Sequence, residues 1–362
     1  MGLANAGKST LFNALASRRL SETAPRPFTT IDPHESVVPV HDEDFHRLCD
    51  LIKPEECVPA TVTFIDIAGL VKDAHKGEGL GNQFLGKIRE VDAIVHVVRA
   101  FSDEKVSHPH TSHPVGSEQQ VLEDIELVNL ELELGGIEKK PTIYLLNVDE
   151  EKVNQVDQLT KLIEEKYRGK ALAIAGKLEE EMIDLDNVEK AEMFKMLQWE
   201  RSGLERLILE AYKLLDLVSF YTIKPSSAKA TEGRGVGNQV SAWSLKKGGT
   251  ALDAAERVHT DFAKKFIKAE VINVSSLLDI GGWKEAKEKG RLGGRHFGDV
   301  VGHAEQAQLG FDLLQAPEQE PSELPVLFPS SEHALCLHGT PGPQGLPFIR
   351  KQIVPGSRPQ FL

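Results

Sequence analysis

Residues 1–19 read "MGLANAGKSTLFNALASRR", and the fold is decided there. Gly2, Gly7, Lys8 and Ser9 complete the pattern G-x-x-x-x-G-K-[ST], a loop whose backbone N–H groups wrap phosphate oxygens. At average residue usage the four fixed positions arise by chance in about one chain in a hundred of this length, so the match is informative. After the loop, Leu11, Phe12 and Leu15 fall at helical spacing, the exit that the motif requires. The entrance is unusual, because only Met1 stands ahead of Gly2 where a buried strand normally delivers the chain. Such a strand buries apolar side chains on both faces. About five of them, at ~1.5–3 kcal/mol each, match a domain's whole net stability. A chain opening here is therefore expected to fold poorly or to bind nucleotide weakly.

Downstream, "ATVTFIDIAGL" (60–70) reads as a strand ending at Asp66. "VDAIVHVVRAF" (91–101), "PTIYLLNVDE" (141–150) and "KALAIAG" (170–176) are short apolar runs of the kind buried in parallel sheets. Between them lie helical patterns, "VLEDIELVNLELELG" (121–135) and "QVDQLTKLIEEKYRG" (155–169), and two or three more helices are expected over 178–216. Alternating strands and helices predict a three-layer α/β domain over 1–216 with a mostly parallel sheet, its ligand at the carboxyl ends of the strands.

From "VSFYTIKP" (218–225) the texture changes to short β pieces, "VSAWSL" and "KAEVINV", around one helical stretch, "LDAAERVHTDFAKKFI". A small α+β module is expected over 217–300. Residues 301–362 are Pro-rich without apolar period, and are expected to be mostly disordered. The formal net charge of −13 argues against a protein that coats nucleic acid by charge alone. Residues 224–300 nevertheless carry 14 Lys+Arg against 9 Asp+Glu, a local +5 that suits contact with RNA or an acidic partner.

No run of about 18 apolar residues spans a bilayer, and the start lacks the basic and apolar regions of a secretory signal. A cytoplasmic location follows as the expectation. Cys49, Cys57 and Cys336 are odd in number and not paired with histidines at metal spacing, so they read as free thiols.

The chemistry gathers on few residues. Backbone N–H groups of residues 3 to 9 would cradle phosphates, with Asn5, Ala6, Gly7, Lys8, Ser9 and Thr10 as the contacting set. Lys8 would neutralise β and γ oxygens, and the Ser9 hydroxyl would hold Mg²⁺. "DIAG" places Asp66 for the Mg²⁺ shell and Gly69 for the γ-phosphate. "PFTTID" (27–32) supplies Thr29 and Thr30, and Thr30 is taken as the hydroxyl that a closing switch loop gives to Mg²⁺. "HKGEGLGNQF" (75–84) has G-x-G-x-G spacing, which is not a dinucleotide fingerprint.

Taken with "PFTTIDPHESVVPV", "DIAGLVKDAHKGEGLGNQFLGKIREVDAIVHVVRAF", "LLNVDEE" and "HTDFAKKFIKAEV", the chain from residue 2 to about 291 resembles the Obg-like ATPases of the YchF type, a branch of the translation-factor-related P-loop NTPases. The resemblance implies a Mg²⁺-dependent ATPase of low intrinsic rate that acts as a switch near the ribosome. It also implies a TGS module, a small β-grasp domain, for RNA or protein contact. Neither membrane nor DNA is an expected partner. Leu70 stands where many GTPases carry a water-orienting glutamine. The family is similar in using a histidine from the loop after "RAF"; counted from Phe101 it is His108, and counted back from "EDIE" it is His113. Asn5 corresponds to an asparagine that ligates a monovalent cation such as K⁺ in some relatives, and is equally a turn former.

On the base side, Asn147-Val148-Asp149-Glu150 replaces the guanine-reading Asn-Lys-x-Asp. A fixed carboxylate pairs with guanine donors and repels adenine's N1 acceptor. Asn147 is expected to serve adenine N6 and N7, beside Val148, Glu150, Ala175 and Gly176. The chain departs from the family in lacking the first strand, in having Gly135-Gly136 where a long helical arm is inserted, and after "GGWKEAKEKGRL" (281–292). The rival readings are a GTPase of the same fold and a non-catalytic interaction protein with a defective nucleotide domain.

Overall fold

Strands and helices alternate as the periodicity requires. The computed structural model describes residues 1–22, 34–66, 80–109, 111–224, 239–264, 266–296, 310–311, 326–328 and 360–361. Helix α1 (Lys8–Glu22) leaves the phosphate loop, followed by β1 (Glu35–Pro39), α2 (Glu43–Ile52), β2 (Glu56–Val58) and β3 (Thr61–Ile65). Next come α3 (Leu80–Glu90), β4 (Ile94–Ala100), α4 (Glu118–Leu134), β5 (Thr142–Val148), α5 (Asp157–Tyr167), β6 (Lys170–Ile174), α6 (Gly176–Glu181), α7 (Asn187–Leu197) and α8 (Gly203–Leu214). Then follow β7 (Leu217–Lys224), β8 (Gln239–Lys246), α9 (Ala251–Val258), α10 (Thr260–Lys264), β9 (Lys268–Asn273), α11 (Val274–Ile280) and α12 (Trp283–Glu288). Four short strands close the series: β10 (Gly293–His296), β11 (Gly310–Phe311), β12 (Val326–Phe328) and β13 (Gln360–Phe361).

The chain forms two compact units. The first comprises Met1–Val40, Thr61–Leu215 and Arg358–Leu362; the second comprises His41–Ala60 and Asp216–Ser357.

In the first unit β4, β5 and β6 pair in parallel, from Ile94↔Thr142 and Ile143↔Lys170 onward. Every residue of β4 is buried, which explains its largely apolar sequence, with His96 and Arg99 as the polar exceptions. Val98, Leu146 and Tyr144 of the sheet pack with Val121 and Ile125 of α4 and Ile163 of α5. Ser117 caps α4 by accepting from Gln120 N, and the helix ends at Gly135. Gly136, at φ 65°, turns the chain directly toward β5, where the resemblance implied a helical arm in the family.

The entrance to the loop differs from expectation. The Met1 amine donates to Val95 O at 2.8 Å and Val97 N donates to Met1 O at 2.9 Å, so residues ahead of the loop pair with β4. Met1 and Leu3 are each 4% exposed, packed with Leu85, Ile88 and Val128. A stub of strand is therefore present where none was expected. Two buried side chains supply part of the burial that a full strand would give. Strand β3 pairs antiparallel with β1 and, through Gln360↔Thr63 and Phe361↔Phe64, parallel with β13.

In the second unit β7 and β8 form a long antiparallel pair, Leu217↔Lys246 to Lys224↔Gln239. Val326–Phe328 lies between β7 and β9, antiparallel to the first and parallel to the second. Within residues 301–362, expected to be mostly disordered, the short strands β11, β12 and β13 join sheets. A three-residue run such as "VLF" is too short to display a period, and only its partners reveal it.

The expected boundary after residue 216 lies one residue from the 215/216 division. What the periodicity does not reveal is the exchange of His41–Ala60. Phe45 and Leu48 of α2 pack with Tyr221, Ile223 and Leu277. Asp42 caps α2 through Phe45 N and accepts from Tyr221 OH at 2.6 Å. Strand β2 joins β8 in parallel. Cys49 and Cys57 are joined by a disulfide, with Cα atoms 6.4 Å apart, which corrects the free-thiol reading for this pair. The helix turns back at Lys53, in the left-handed region at φ 48°, and so brings the two cysteines together. Cys336 lies outside the described residues. Among the described residues no helix is long and apolar enough to cross a membrane.

Candidate functional site

The loop's two fixed glycines are demanded by close approach. A Cβ on Gly2 would stand 2.2 Å from Val97 O, and on Gly7, at φ 93°, 2.2 Å from Asn147 Nδ2. Asn5 occupies the left-handed region at φ 61°. Lys8 opens α1, and Leu11 N donates to Gly7 O at 3.1 Å, so the first helical turn starts immediately behind the loop. That end of a helix favours anions. Lys8 Nζ folds back to donate to Leu3 O at 2.8 Å. Burial lowers the Lys8 pKa, and the nearby Asp66 charge opposes the shift. Ala6 is 1% exposed, Thr10 is half-buried and Ser9 is exposed.

Asp66 follows β3 directly and donates its N–H to His34 O at 2.8 Å. The Ser9 hydroxyl and the Asp66 carboxylate are hard oxygen donors of the type that Mg²⁺ selects. Among the described residues no cluster of three or more His, Cys, Asp or Glu could hold a metal. By the chemistry of their donors, Ser9 and Asp66 fit Mg²⁺. Thr29, Thr30, Gly69 and Leu70 lie outside the described residues.

On the base side, Asn147 is engaged by the protein itself. Its Nδ2 donates to Ala6 O at 3.1 Å and its Oδ1 accepts from Gly176 N at 2.9 Å, and the residue is 6% exposed. The carboxamide thus joins the phosphate loop to α6 and keeps one N–H and one lone pair. Val148 and Ala175 are buried, Glu150 is exposed, and Lys177 is 89% exposed. The Asp149 carboxylate accepts from Ser102 N at 3.3 Å and pairs with Lys152 at 2.8 Å.

His108 and His113 fall in different settings. His113 is exposed, its N–H donating to Thr111 Oγ1 within a turn held by Glu123. His108 Nε2 meets Asp124 Oδ2 at 3.0 Å, with side chains 4% and 3% exposed. Its loop is tied at several points. Asn5 Nδ2 donates to Ser107 O at 3.1 Å, linking it to the phosphate loop. From β4, the 1% exposed Arg99 donates to Phe101 O, Ser107 O and Asp103 O at 3.4, 3.1 and 3.0 Å, and lies 4.5 Å from the centre of the Phe101 ring. Burial lowers the Arg99 pKa, against Asp103, Asp124 and Asp149.

Arg99, Gln120 and Asp124 were not singled out from sequence. The available signal is a polar residue on an apolar face: Asp124 lies three residues from Val121 and four from Val128, both buried. A groove of about 670 Å³ lined by Leu172, Trp199, Arg201, Arg206 and Lys213 contains none of the residues named for the nucleotide site.

The phosphate loop behind a parallel sheet and ahead of α1 defines a P-loop nucleoside triphosphatase fold of the GTPase type, and the family described as 50S ribosome-binding GTPase matches residues 1–148. The carboxy-terminal domain of YchF GTPases, described as a protein of unknown function, matches residues 233–298. The ribosome-binding ATPase YchF of Bacillus subtilis is 34% identical over 372 aligned residues, covering 83% of this chain and 96% of that protein. Its Haemophilus influenzae counterpart is 35% identical over 369, with the same coverage. The solved structure of the Schizosaccharomyces pombe YchF GTPase superposes with a TM-score of 0.65 at 27% identity, over 83% of this chain and 94% of that one. The chain belongs to the YchF family.

Proposed function

We propose that the protein is a Mg²⁺-dependent, ATP-hydrolysing switch of low intrinsic rate that works on the ribosome in the cytoplasm. The observation that carries this reading is the loop itself, with Gly2 and Gly7 packed where no side chain fits and Lys8 turned across the phosphate nest. Loop amides and Lys8 bind and orient the triphosphate, and catalysis is positioning plus charge stabilisation. Ser9 and Asp66, with Thr30, would hold Mg²⁺, which would supply charge neutralisation of the triphosphate, and Gly69 would meet the γ-phosphate. His108 orients the attacking water, since Leu70 offers no hydrogen bond. A K⁺ ion beside the phosphates would use Asn5 Oδ1.

Preference for ATP is supported by the engagement of Asp149 with Ser102 and Lys152, and by Glu150 in place of the shorter guanine-reading acid. The ribosome as partner is supported by the names of the relatives, ribosome-binding ATPases. Residues 217–300, read as TGS-like, supply the RNA or protein contact. Thermal shift with Mg²⁺ and ATP, GTP or no nucleotide tests the nucleotide reading, because only a bound ligand stabilises. Stabilisation by ATP with slow phosphate release is expected; no stabilisation by either nucleotide would favour a non-catalytic interaction protein. Cosedimentation with ribosomes tests the partner.

A further inference from the structure

Arg99 serves the loop that follows it with both its main chain and its side chain. The guanidinium, 1% exposed, spreads its nitrogens over three carbonyls: Nε donates to Phe101 O at 3.4 Å, Nη2 to Asp103 O at 3.0 Å and Nη1 to Ser107 O at 3.1 Å. A planar fork suits this task, because its donors sit on three separate atoms where an ammonium has one. Asp103 O also accepts from Val106 N at 3.2 Å, and the Asp103 carboxylate accepts from Lys105 N at 2.9 Å, so the turn between the anchors is closed as well. The carbonyl of Arg99 is in turn held by Gln120 Nε2 at 3.0 Å, while Gln120 Oε1 accepts from Gly116 N at 2.8 Å. The loop is thus fastened at its start, its middle and its end.

Ser107 O takes a second hydrogen bond. A carbonyl only accepts, so the Asn5 atom 3.1 Å from it is the amide Nδ2, and the two lone pairs of one oxygen serve Arg99 and Asn5 together. Asn5 belongs to the phosphate loop and sits in the left-handed region at φ 61°. We propose that Arg99 is a positioning residue for hydrolysis: it fixes the course of residues 101–107 and, at Ser107 O, registers that course on the phosphate loop through Asn5. His108 is the next residue, so its backbone inherits the register. That use rests on the hydrolytic reading above; the hold on three carbonyls does not.

Hydrogen exchange on the full chain without nucleotide reads the hold at the amides of Lys105 and Val106, and turnover with equilibrium ATP titration reads its use. Arg99→Lys keeps the charge and gives up the fork. Exchange over residues 102–109 is expected to quicken about tenfold, kcat to fall about tenfold and ATP affinity to stay within about twofold. Asn5→Gly keeps the left-handed backbone and removes the shared donor, so exchange there should quicken by less. Unchanged exchange in Arg99→Lys overturns the hold, and in Asn5→Gly it overturns the register on the phosphate loop. Faster exchange at unchanged turnover leaves the loop held by Arg99 and overturns the part of that residue in hydrolysis. A parent that binds no ATP fails the hydrolytic reading, and the positioning role with it, while exchange still decides the hold. Should Arg99→Lys fail to fold, Asn5→Gly at its exposed position still decides, because exchange equal to the parent there overturns the proposal.

Discussion

Asn147 Nδ2 donates to Ala6 O across 3.1 Å, which fastens the end of β5 to the phosphate loop. The other half of the carboxamide receives Gly176 N. Asn147→Ala leaves two buried backbone groups unsatisfied and is expected to destabilise the first unit by about 2–4 kcal/mol. Nucleotide affinity should fall with it, because the loop loses its support. Urea denaturation and equilibrium nucleotide titration of parent and variant measure both; a variant equal to the parent in both would show that the bonds are incidental.

His108→Ala is expected to lower kcat by about a hundredfold at nearly unchanged ATP affinity, the mark of an interaction made in the transition state. His113, on an exposed turn, should tolerate alanine with turnover within about twofold of the parent. Single-turnover phosphate release separates the two. Impairment of His113→Ala alone would move the water-orienting role to that residue.

The strands of the first unit were legible because β4 and β5 are buried along nearly their whole length and are mostly apolar in sequence. The phosphate loop and Asp66 were legible because phosphate geometry fixes their spacing. Helix α2 and β2 were not, since Asp42 finds its partner Tyr221 179 residues away and nothing local announces it. The double use of Asn147 escaped for the same reason: the approach of residues 6 and 176 is a property of the fold. Arg99 escaped because a lone arginine in an apolar run reads as the end of a strand, whereas its guanidinium is the post around which the next loop is wound.

His96, in the middle of β4, is held down to about 3 by burial first, then by the Met1 ammonium and Lys8. Its pKa in the unfolded chain is the ordinary ~6.5. Between these values the unfolded state binds the extra proton, so stability is fully present above about pH 6.5 and is lost as pH falls toward 3. The loss is at most about 5 kcal/mol. His96→Leu should flatten the stability profile across that window by about one proton, read from urea midpoints at a series of pH values. An unchanged slope would mean that the ring is protonated in the folded protein.

Binding of ATP over GTP by about tenfold, roughly 1.4 kcal/mol, is expected from the engaged Asp149 and the exposed Glu150. Titration with fluorescent analogues of both nucleotides decides it. Equal or tighter GTP binding would restore the GTPase reading.

Reduction of the Cys49–Cys57 bond, or Cys57→Ser, opens a short covalent loop within the second unit. A loss of about 2–3 kcal/mol is expected in the chain-entropy account. Melting with and without reductant gives the shift, and the serine variant should be indifferent to reductant.

The exchange of His41–Ala60 has a consequence for how the chain is made. During synthesis α2 emerges long before β7 and β8, so Phe45 and Leu48 must wait without their partners while the whole nucleotide fold is completed around the gap. The second unit therefore begins before the first is finished, and β2 gains its strand partner only when residues 239–246 arrive. Ribosomes stalled just after residue 215 would carry an apolar helix with no home, a natural client for a chaperone. A fragment ending there should be less soluble than its own well-packed sheet would suggest.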